Sequence, residues 1–214
     1  MKTLIFDLDG TLLNTIGDLH QSTNYALRMF GYPERSLEEV NSFVGNGLAM
    51  LIRKAVPTGT SEETVQMVLK KMKSHYAEHY HDLTLPYPGI LDLLKACREK
   101  AIPMAIVSNK ADPFVKKLRT LFFEDLITVA LGESEEMPRK PAADMVYYAL
   151  EQLGIDPKDA YYVGDSEVDV LTAKNAGLPC LAVTWGFRSE EDLIEAGATD
   201  LIREPMELLK RGME

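Results

Sequence analysis

The sequence predicts an α/β protein: a doubly wound, Rossmann-like parallel sheet with an all-helical block inserted after its first strand. Three observations carry that expectation. Residues 2–6 are a short apolar run that passes directly into Asp7-Leu8-Asp9-Gly10-Thr11-Leu12, the pattern of a buried strand ending in paired acids and a turn glycine. Residues 14–82 carry only helical patterns. From residue 83 onward short apolar runs alternate with amphipathic segments, as in a parallel sheet covered on both faces. The expected organisation is therefore a catalytic core of residues 1–13 and 83–214, with a helical cap of residues 14–82.

Taken in order, Asn14-Thr15 can cap a helix that runs to Gly31, with Pro33 just beyond it. Ser36-Leu37-Glu38-Glu39 reads as a capping box opening a short helix that stops near Val44. Gly45-Asn46-Gly47 breaks the pattern, which resumes over residues 48–56. Thr60-Ser61-Glu62-Glu63 reads as a second capping box, before a long helix with Val65, Val68, Leu69, Met72 and Tyr76 on one face. Beyond residue 83, helices are expected over 89–100, 112–121, 142–153 and 166–176, and strands over 102–107, 127–131, 160–163 and 180–184. A last short strand and helix follow. Both connections to the helical block lie beside the end of the first strand, so the block is expected to sit over that end.

The 214 residues are 46% apolar, enough for a full core, and their formal net charge is −10. That balance argues against nucleic acid or an anionic membrane as partner, since both require a basic surface. No apolar stretch approaches membrane-spanning length, and nothing after the first strand resembles a signal-peptide cleavage site. Cys97 and Cys180 lack metal or redox spacing and read as reduced thiols, which points to a cytoplasmic protein; a monomer or weak homodimer is expected.

Three further strand ends carry polar groups. Val107 leads into Ser108-Asn109-Lys110, the next strand is followed by Arg139-Lys140-Pro141, and Val163 leads into Gly164-Asp165-Ser166-Glu167-Val168-Asp169. In a parallel sheet all these ends meet at one edge. Taken singly they are ordinary: a Ser-Asn is commonly a turn, a Lys-Pro a loop, and an acid at a helix start a dipole partner. Together they suit a phosphate monoester. Asp7 would be the nucleophile and Asp9 the proton donor, with Ser108 and Lys140 serving the phosphoryl oxygens and Asp165 completing a site for a hard cation such as Mg²⁺.

The four stretches together resemble the motifs of the haloacid dehalogenase superfamily of aspartate-nucleophile phosphotransferases. Asp7-Leu8-Asp9-Gly10-Thr11 is similar to the first, Ser108-Asn109 to the second, Lys140-Pro141 to the third, and Gly164-Asp165 through Asp169 to the fourth. The resemblance implies an aspartyl-phosphate on Asp7, with Asp9 as acid and then base. It implies Mg²⁺ held by the Asp7 side chain, the Asp9 carbonyl and the Asp165 side chain, with Asp169 as an orienting residue behind them. Leu8, Gly10, Thr11, Ser108 and Asn109 would contact the phosphate, and Gly45, Asn46 and Gly47 the rest of the substrate.

Within the superfamily the chain is most similar to the phosphoglycolate phosphatase subgroup, through Thr15-Ile16-Gly17-Asp18-Leu19, Phe43-Val44-Gly45-Asn46-Gly47, Val107-Ser108-Asn109-Lys110 with Pro113-Phe114-Val115, and Thr184-Trp185-Gly186-Phe187. The implied substrate is a small phosphorylated metabolite such as 2-phosphoglycolate. Ala143 departs from the pattern, where relatives often carry a second proline. Alternatives are an inorganic pyrophosphatase, a sugar-phosphate phosphatase or phosphoglucomutase, and a degenerate phosphate-binding regulatory domain without activity. Leu48 stands where the mutases carry a basic residue, which favours a hydrolase.

Some features read as structural. His75 and His79 share a helix face but lack a further ligand, so they read as a solvated or packing face rather than a zinc site. Tyr147-Tyr148 and Tyr161-Tyr162 read as packing pairs, one ring of each pointing each way. Met67 and Met72 read as parts of the helical block's own core.

Overall fold

A computed structural model describes residues 2–213; the two terminal residues, with which the expected core begins and ends, lie outside the described residues. The described chain separates into two compact units. The first comprises the residues up to Leu13 and those from Pro86 onward, the second Asn14–Leu85.

The first unit is a Rossmann-like parallel sheet flanked by helices. Its strands are β1 (Thr3–Phe6), β4 (Met104–Ala111), β5 (Val129–Glu133), β6 (Ala160–Gly164), β7 (Cys180–Val183) and β8 (Leu201–Ile202). The chain crosses between the units within two-residue strands, β2 (Leu13–Asn14) and β3 (Leu85–Pro86). The large sheet runs in the order β5-β4-β1-β6-β7-β8, every pairing being parallel. β1 is central because all four of its residues are buried, so it tolerates no solvent on either face. Its register with β4 sets Phe6 against Ile106, and that with β6 sets Phe6 against Val163. The residues after these strands therefore emerge side by side at one edge.

The crossover helices are α5 (Ile90–Glu99), α6 (Asp112–Phe123), α7 (Asp144–Leu153), α8 (Glu167–Ala176), α9 (Glu190–Glu195) and α10 (Pro205–Met213). Ile5, Ala105, Val107 and Tyr162 pack on one face of the sheet with Met145, Val146 and Ala149 of α7 and Ala173 of α8. Leu4 and Phe6, fully buried as well, point to the other face by the alternation of a strand.

The strand expected over 127–131 begins two residues later, as β5, because Ile127 donates its amide to the Phe123 carbonyl and closes α6; both boundaries of the strand expected over 102–107 differ as well. Ile102 donates its amide to the Cys97 carbonyl, closing the end of α5 rather than opening a strand. At the other end β4 continues through the polar Ser108-Asn109-Lys110 with an irregular register against β5 between Val107 and Ala111. An apolar-run criterion stops too early there, because the last residues of the strand face a site rather than a core. Helix α9 was not anticipated, being only six residues long.

Between the short strands at its two ends, the regular elements of the second unit are helices: α1 (Ile16–Met29), α2 (Leu37–Phe43), α3 (Gly47–Ala55) and α4 (Glu62–His79). Leu19, Leu27, Val40, Leu51, Ile52, Val65, Val68, Met72 and Tyr76 are buried. Ser36 and Glu39 form the reciprocal capping box, at 3.2 Å and 2.8 Å. The second expected box is not made: Ser61 is the cap and accepts from Thr64, which places Thr64 rather than Glu63 three residues in. Thr15 caps α1 by position only, without a side-chain bond.

Asp18, itself buried, accepts from Leu83 N (2.9 Å), Thr84 N (2.9 Å) and Thr84 Oγ1 (2.7 Å). It thereby ties the end of this unit back to its first helix. His75 stacks between Tyr25 and His79 and bonds Ser22 Oγ at 3.0 Å, and burial pushes its imidazole below the usual value. This histidine is a packing residue. Met67 is 48% exposed and lies outside the core assigned to it. Tyr147 and Tyr148 are both exposed, because neighbours on a helix are only about 100° apart and do not fall on opposite faces.

Candidate active site

The site is built on the carboxyl edge of β1, β4 and β6 and on the loop after β5, all within the first unit. Lys140, almost fully buried, is its electrostatic centre. Its Nζ stands 2.8 Å from Asp7 Oδ1 and 2.8 Å from Asp169 Oδ1, and donates to the Tyr162 hydroxyl at 3.0 Å. Burial alone would discourage the ammonium, but Asp169 and Asp7 outweigh it and hold Lys140 well above the ordinary lysine value. The Asn109 amide donates to the Lys140 carbonyl at 3.0 Å and fixes the backbone beneath it. Pro141 follows through a cis peptide bond.

Each carboxylate has a different set of partners. Asp169 Oδ1 faces Lys140 and Tyr162, while Oδ2 accepts from Ser166 N (3.1 Å) and Oγ (2.6 Å). Both of its oxygens are committed. Asp165 accepts from Thr11 Oγ1 (2.8 Å) through Oδ1 and from Phe187 N (2.8 Å) through Oδ2. The loop that supplies Phe187 is held in turn by Trp185, whose indole donates to the Thr11 carbonyl at 3.0 Å.

Asp7 differs from both. Its Oδ1 is buried and receives no hydrogen bond of proper direction, although the Lys140 ammonium lies close enough to balance its charge. Burial is the main reason the Asp7 carboxyl is pushed up to about 7, with Lys140 opposing and Asp169 and Asp9 adding to the rise. Burial likewise holds Asp165 well above the ordinary carboxylate range, aided by Asp169 and Asp7.

Oxygens of Asp7, Asp165 and Asp169 lie within 4.8 Å of one another. Hard carboxylate donors at this separation, one with an oxygen lacking a directed donor, fit a hard divalent cation. Each oxygen of Asp169 already accepts two hydrogen bonds, whereas each oxygen of Asp165 accepts one. The space is guarded by glycine: a Cβ on Gly10, at φ +90°, would stand 2.2 Å from Asp165 Oδ2, and one on Gly186 would stand 2.3 Å from Asp165 Cβ.

The structure brings Asp7, Asp9, Ser108, Asn109, Lys140, Asp165 and Asp169 to this edge, and several groups expected at the phosphate have partners within the protein. The Gly10 amide donates to the Leu13 carbonyl at 2.8 Å, so Gly10 contributes room for Asp165 rather than a donor. Thr11 spends its hydroxyl on Asp165, and Asn109 spends its amide on Lys140; both position other groups. The Leu8 side chain is fully buried, which leaves only its backbone for a ligand. Ser108 is buried and its Oγ accepts from Lys110 N at 3.3 Å, so its proton remains to be donated. Gly45, Asn46 and Gly47 lie in the helical unit at the turn between α2 and α3.

Sequence reasoning missed two residues. Tyr162, read as packing, is fully buried with its hydroxyl beside Lys140, Asp169 and the Val107 carbonyl. The available signal was that a buried phenol requires a polar partner. Lys110 received no role, yet its Nζ meets Asp9 Oδ1 at 2.9 Å and Oδ2 at 3.2 Å. Its signal was the period of two, which sets Ser108 and Lys110 on one side of the strand and Asn109 on the other.

Comparison with known proteins agrees with this geometry. The model of the haloacid dehalogenase-like hydrolases matches residues 4–183, and the chain belongs to that family. It is a phosphatase of the family, as its relatives indicate. It is 33% identical over 214 residues to phosphoglycolate phosphatase 1 of Pseudomonas aeruginosa, covering 97% of this chain and 78% of the relative. It is 35% identical over 189 residues to the phosphoglycolate phosphatase of Rhodobacter capsulatus, covering 86% and 85%. Among solved structures, a haloacid dehalogenase-like family hydrolase from Streptococcus pneumoniae superposes with a TM-score of 0.88 at 25% identity, covering 99% of this chain and 98% of that one. Among the described residues no helix is long and apolar enough to cross a membrane.

Proposed function

We propose that the enzyme hydrolyses small phosphomonoesters through an aspartyl-phosphate on Asp7, with 2-phosphoglycolate as the leading substrate. The observation that carries this reading is the buried Asp7 Oδ1, which has a cation 2.8 Å away and no directed hydrogen-bond donor. A buried carboxylate whose charge is offset by one neighbouring ammonium, with lone pairs left over, is suited to act as a nucleophile. Asp7 attacks phosphorus, the bond from phosphorus to the ester oxygen breaks, and that oxygen takes a proton from Asp9. Water then attacks phosphorus, Asp9 takes its proton, and the Asp7 carboxylate and inorganic phosphate are released. Lys140 and Ser108 offset charge on the phosphoryl oxygens.

A bound Mg²⁺, held by the Asp7 and Asp165 side chains and the Asp9 carbonyl, would supply the remaining charge neutralisation. Thr11 and Phe187 orient Asp165 for this task, and Asp169 with Tyr162 orients Lys140. The substrate assignment is supported by the names of the relatives and by the sequence of the Gly45-Asn46-Gly47 turn, whose amides suit a small carboxylate.

The test is a phosphate-release screen with Mg²⁺ over small phosphorylated acids, hexose phosphates and pyrophosphate, run beside Asp7→Asn and Asn46→Ala. Phosphorylated acids are expected to be turned over best, Asp7→Asn to abolish turnover, and Asn46→Ala to raise KM for the acids more than for an aryl phosphate. Turnover persisting in Asp7→Asn removes the covalent mechanism, and a preference for pyrophosphate or hexose phosphates removes the substrate.

A further inference from the structure

The site holds a second buried ammonium that the reaction as written does not use. Lys110 has a side chain only 5% exposed and Asp9 one only 14% exposed, and the two are paired at 2.9 Å and 3.2 Å. This is not a solvated surface pair, whose worth would be slight. The ammonium straddles both carboxylate oxygens, so it fixes the plane of the carboxyl as well as its charge. Left alone, the terminal torsion of an aspartate is broad. Burial also pins Lys110: its backbone lies in β4, and its amide donates to Ser108 Oγ at 3.3 Å. One short stretch of strand thus carries both a hydroxyl for the phosphoryl group and a clamp for the neighbouring acid.

We infer that Lys110 is a positioning residue that aims the Asp9 carboxyl at the leaving-group oxygen. The inference rests on the acid-base role proposed for Asp9. Proton transfer needs donor and acceptor within about 3 Å and aligned, and a misplacement of about 1 Å can cost roughly a hundredfold in rate. A clamp on the Asp9 carboxyl matters most when the leaving group needs its proton. An alkoxide does, while a nitrophenolate is stable without it.

The experiment compares kcat and KM, at saturating Mg²⁺, for the best alkyl ester of the screen and for 4-nitrophenyl phosphate. The proteins are the wild type, Lys110→Met, Lys110→Arg, Asp9→Asn and the Asp9→Asn/Lys110→Met double variant. Lys110→Met is expected to lower kcat on the alkyl ester by roughly 10- to 100-fold and on the aryl ester by less than about threefold, with KM little changed. Lys110→Arg should recover part of the loss. The double variant should be no slower than Asp9→Asn, because a clamp is worth nothing once its carboxylate is gone.

Equal losses on both esters, or losses that multiply in the double variant, overturn the inference. If Lys110→Met does not fold, the ratio of the two esters in Lys110→Arg decides the matter, and an unchanged ratio counts against it. Failure of the underlying reading looks different: Asp9→Asn itself would then slow both esters alike.

Discussion

Replacing Gly10 by alanine tests how tightly the Asp165 carboxylate is held. The new Cβ would lie 2.2 Å from Oδ2, 2.6 Å from Cγ and 2.7 Å from Oδ1 of Asp165, so one of the two must move by close to the width of an atom. Asp165 cannot yield freely: Thr11 and Phe187 each bond it at 2.8 Å, and Gly186 also packs against its Cβ. Alanine at φ +90° also costs about 1–2 kcal/mol in the backbone itself. Overpacking adds about 1–3 kcal/mol, which makes a total of roughly 2–5 kcal/mol. At about 2–4 °C per kcal/mol for a chain of this size, Tm should fall by roughly 4–20 °C. Gly154→Ala is the control, since Gly154 has φ +68° and nothing within 4 Å of the added carbon; it should show the backbone cost alone. The assay is thermal unfolding of both variants, together with the Mg²⁺ concentration for half-maximal turnover. Gly10→Ala should require more metal and Gly154→Ala should not. Melting of Gly10→Ala no lower than that of Gly154→Ala, with unchanged Mg²⁺ dependence, would refute the account of the site as a cradle cut to fit Asp165.

Other outcomes follow from the same contacts. Tyr162→Phe removes the hydroxyl that accepts from Lys140 and should cost about 1–2 kcal/mol in denaturant unfolding; because Lys140 keeps Asp7 and Asp169, turnover should fall far less than in Asp169→Ala, and equal losses would count against Asp169 as the main orienter. Asp18→Ala strands the amides of Leu83 and Thr84 and should cost roughly 3 kcal/mol; a cost below about 1 kcal/mol, measured by denaturant titration, would show that the clasp is replaceable. The Asp7 carboxyl is raised from 3.8 to about 7 in the metal-free fold, so the folded state binds the extra proton. The stability tied to Asp7 is then full below pH 3.8 and is lost as pH rises toward 7. Near pH 6, Mg²⁺ binding should accordingly release a proton, which calorimetry in buffers of different ionisation enthalpy would detect; no buffer dependence would contradict it.

The fold was largely legible because its strands are apolar runs with no competing helical period, and because Ser36 and Glu39 write their cap in local sequence. What escaped the reading has a common physical cause. Ser108-Asn109-Lys110 is strand by hydrogen bonding but polar by composition, so periodicity ended β4 too soon and left Lys110 without a side of the strand to face. Gly10, Thr11 and Asn109 sit in recognisable motif positions, yet their donors go to Leu13, Asp165 and Lys140. A motif records which residues stand at a site, whereas the spending of each hydrogen bond depends on groups as far off as Asp165, 154 residues from Thr11. Tyr162 was hidden for the reverse reason, since an aromatic in a buried strand is adequately explained by packing alone.

The charge balance of the site connects these pieces. Asp7, Asp9, Asp165 and Asp169 bring four carboxylates, and Lys110 and Lys140 bring two ammoniums. With every group ionised the formal sum is minus two, which a buried edge cannot carry without protons or a cation. The ammoniums do not share the charge evenly: Lys110 is committed to Asp9, while Lys140 lies between Asp7 and Asp169. Among the described residues Asp165 has no ammonium beside it, and Asp7 shares one with Asp169; Asp7 and Asp165 are also the carboxyls that burial raises. They also keep more lone pairs than Asp169: each oxygen of Asp165 accepts one hydrogen bond, whereas each oxygen of Asp169 accepts two. A divalent cation cancels that formal sum, and a monovalent one leaves half of it. On the metal site proposed above, the count of acids and lysines at the sheet edge thus favours an ion of charge two over one of charge one.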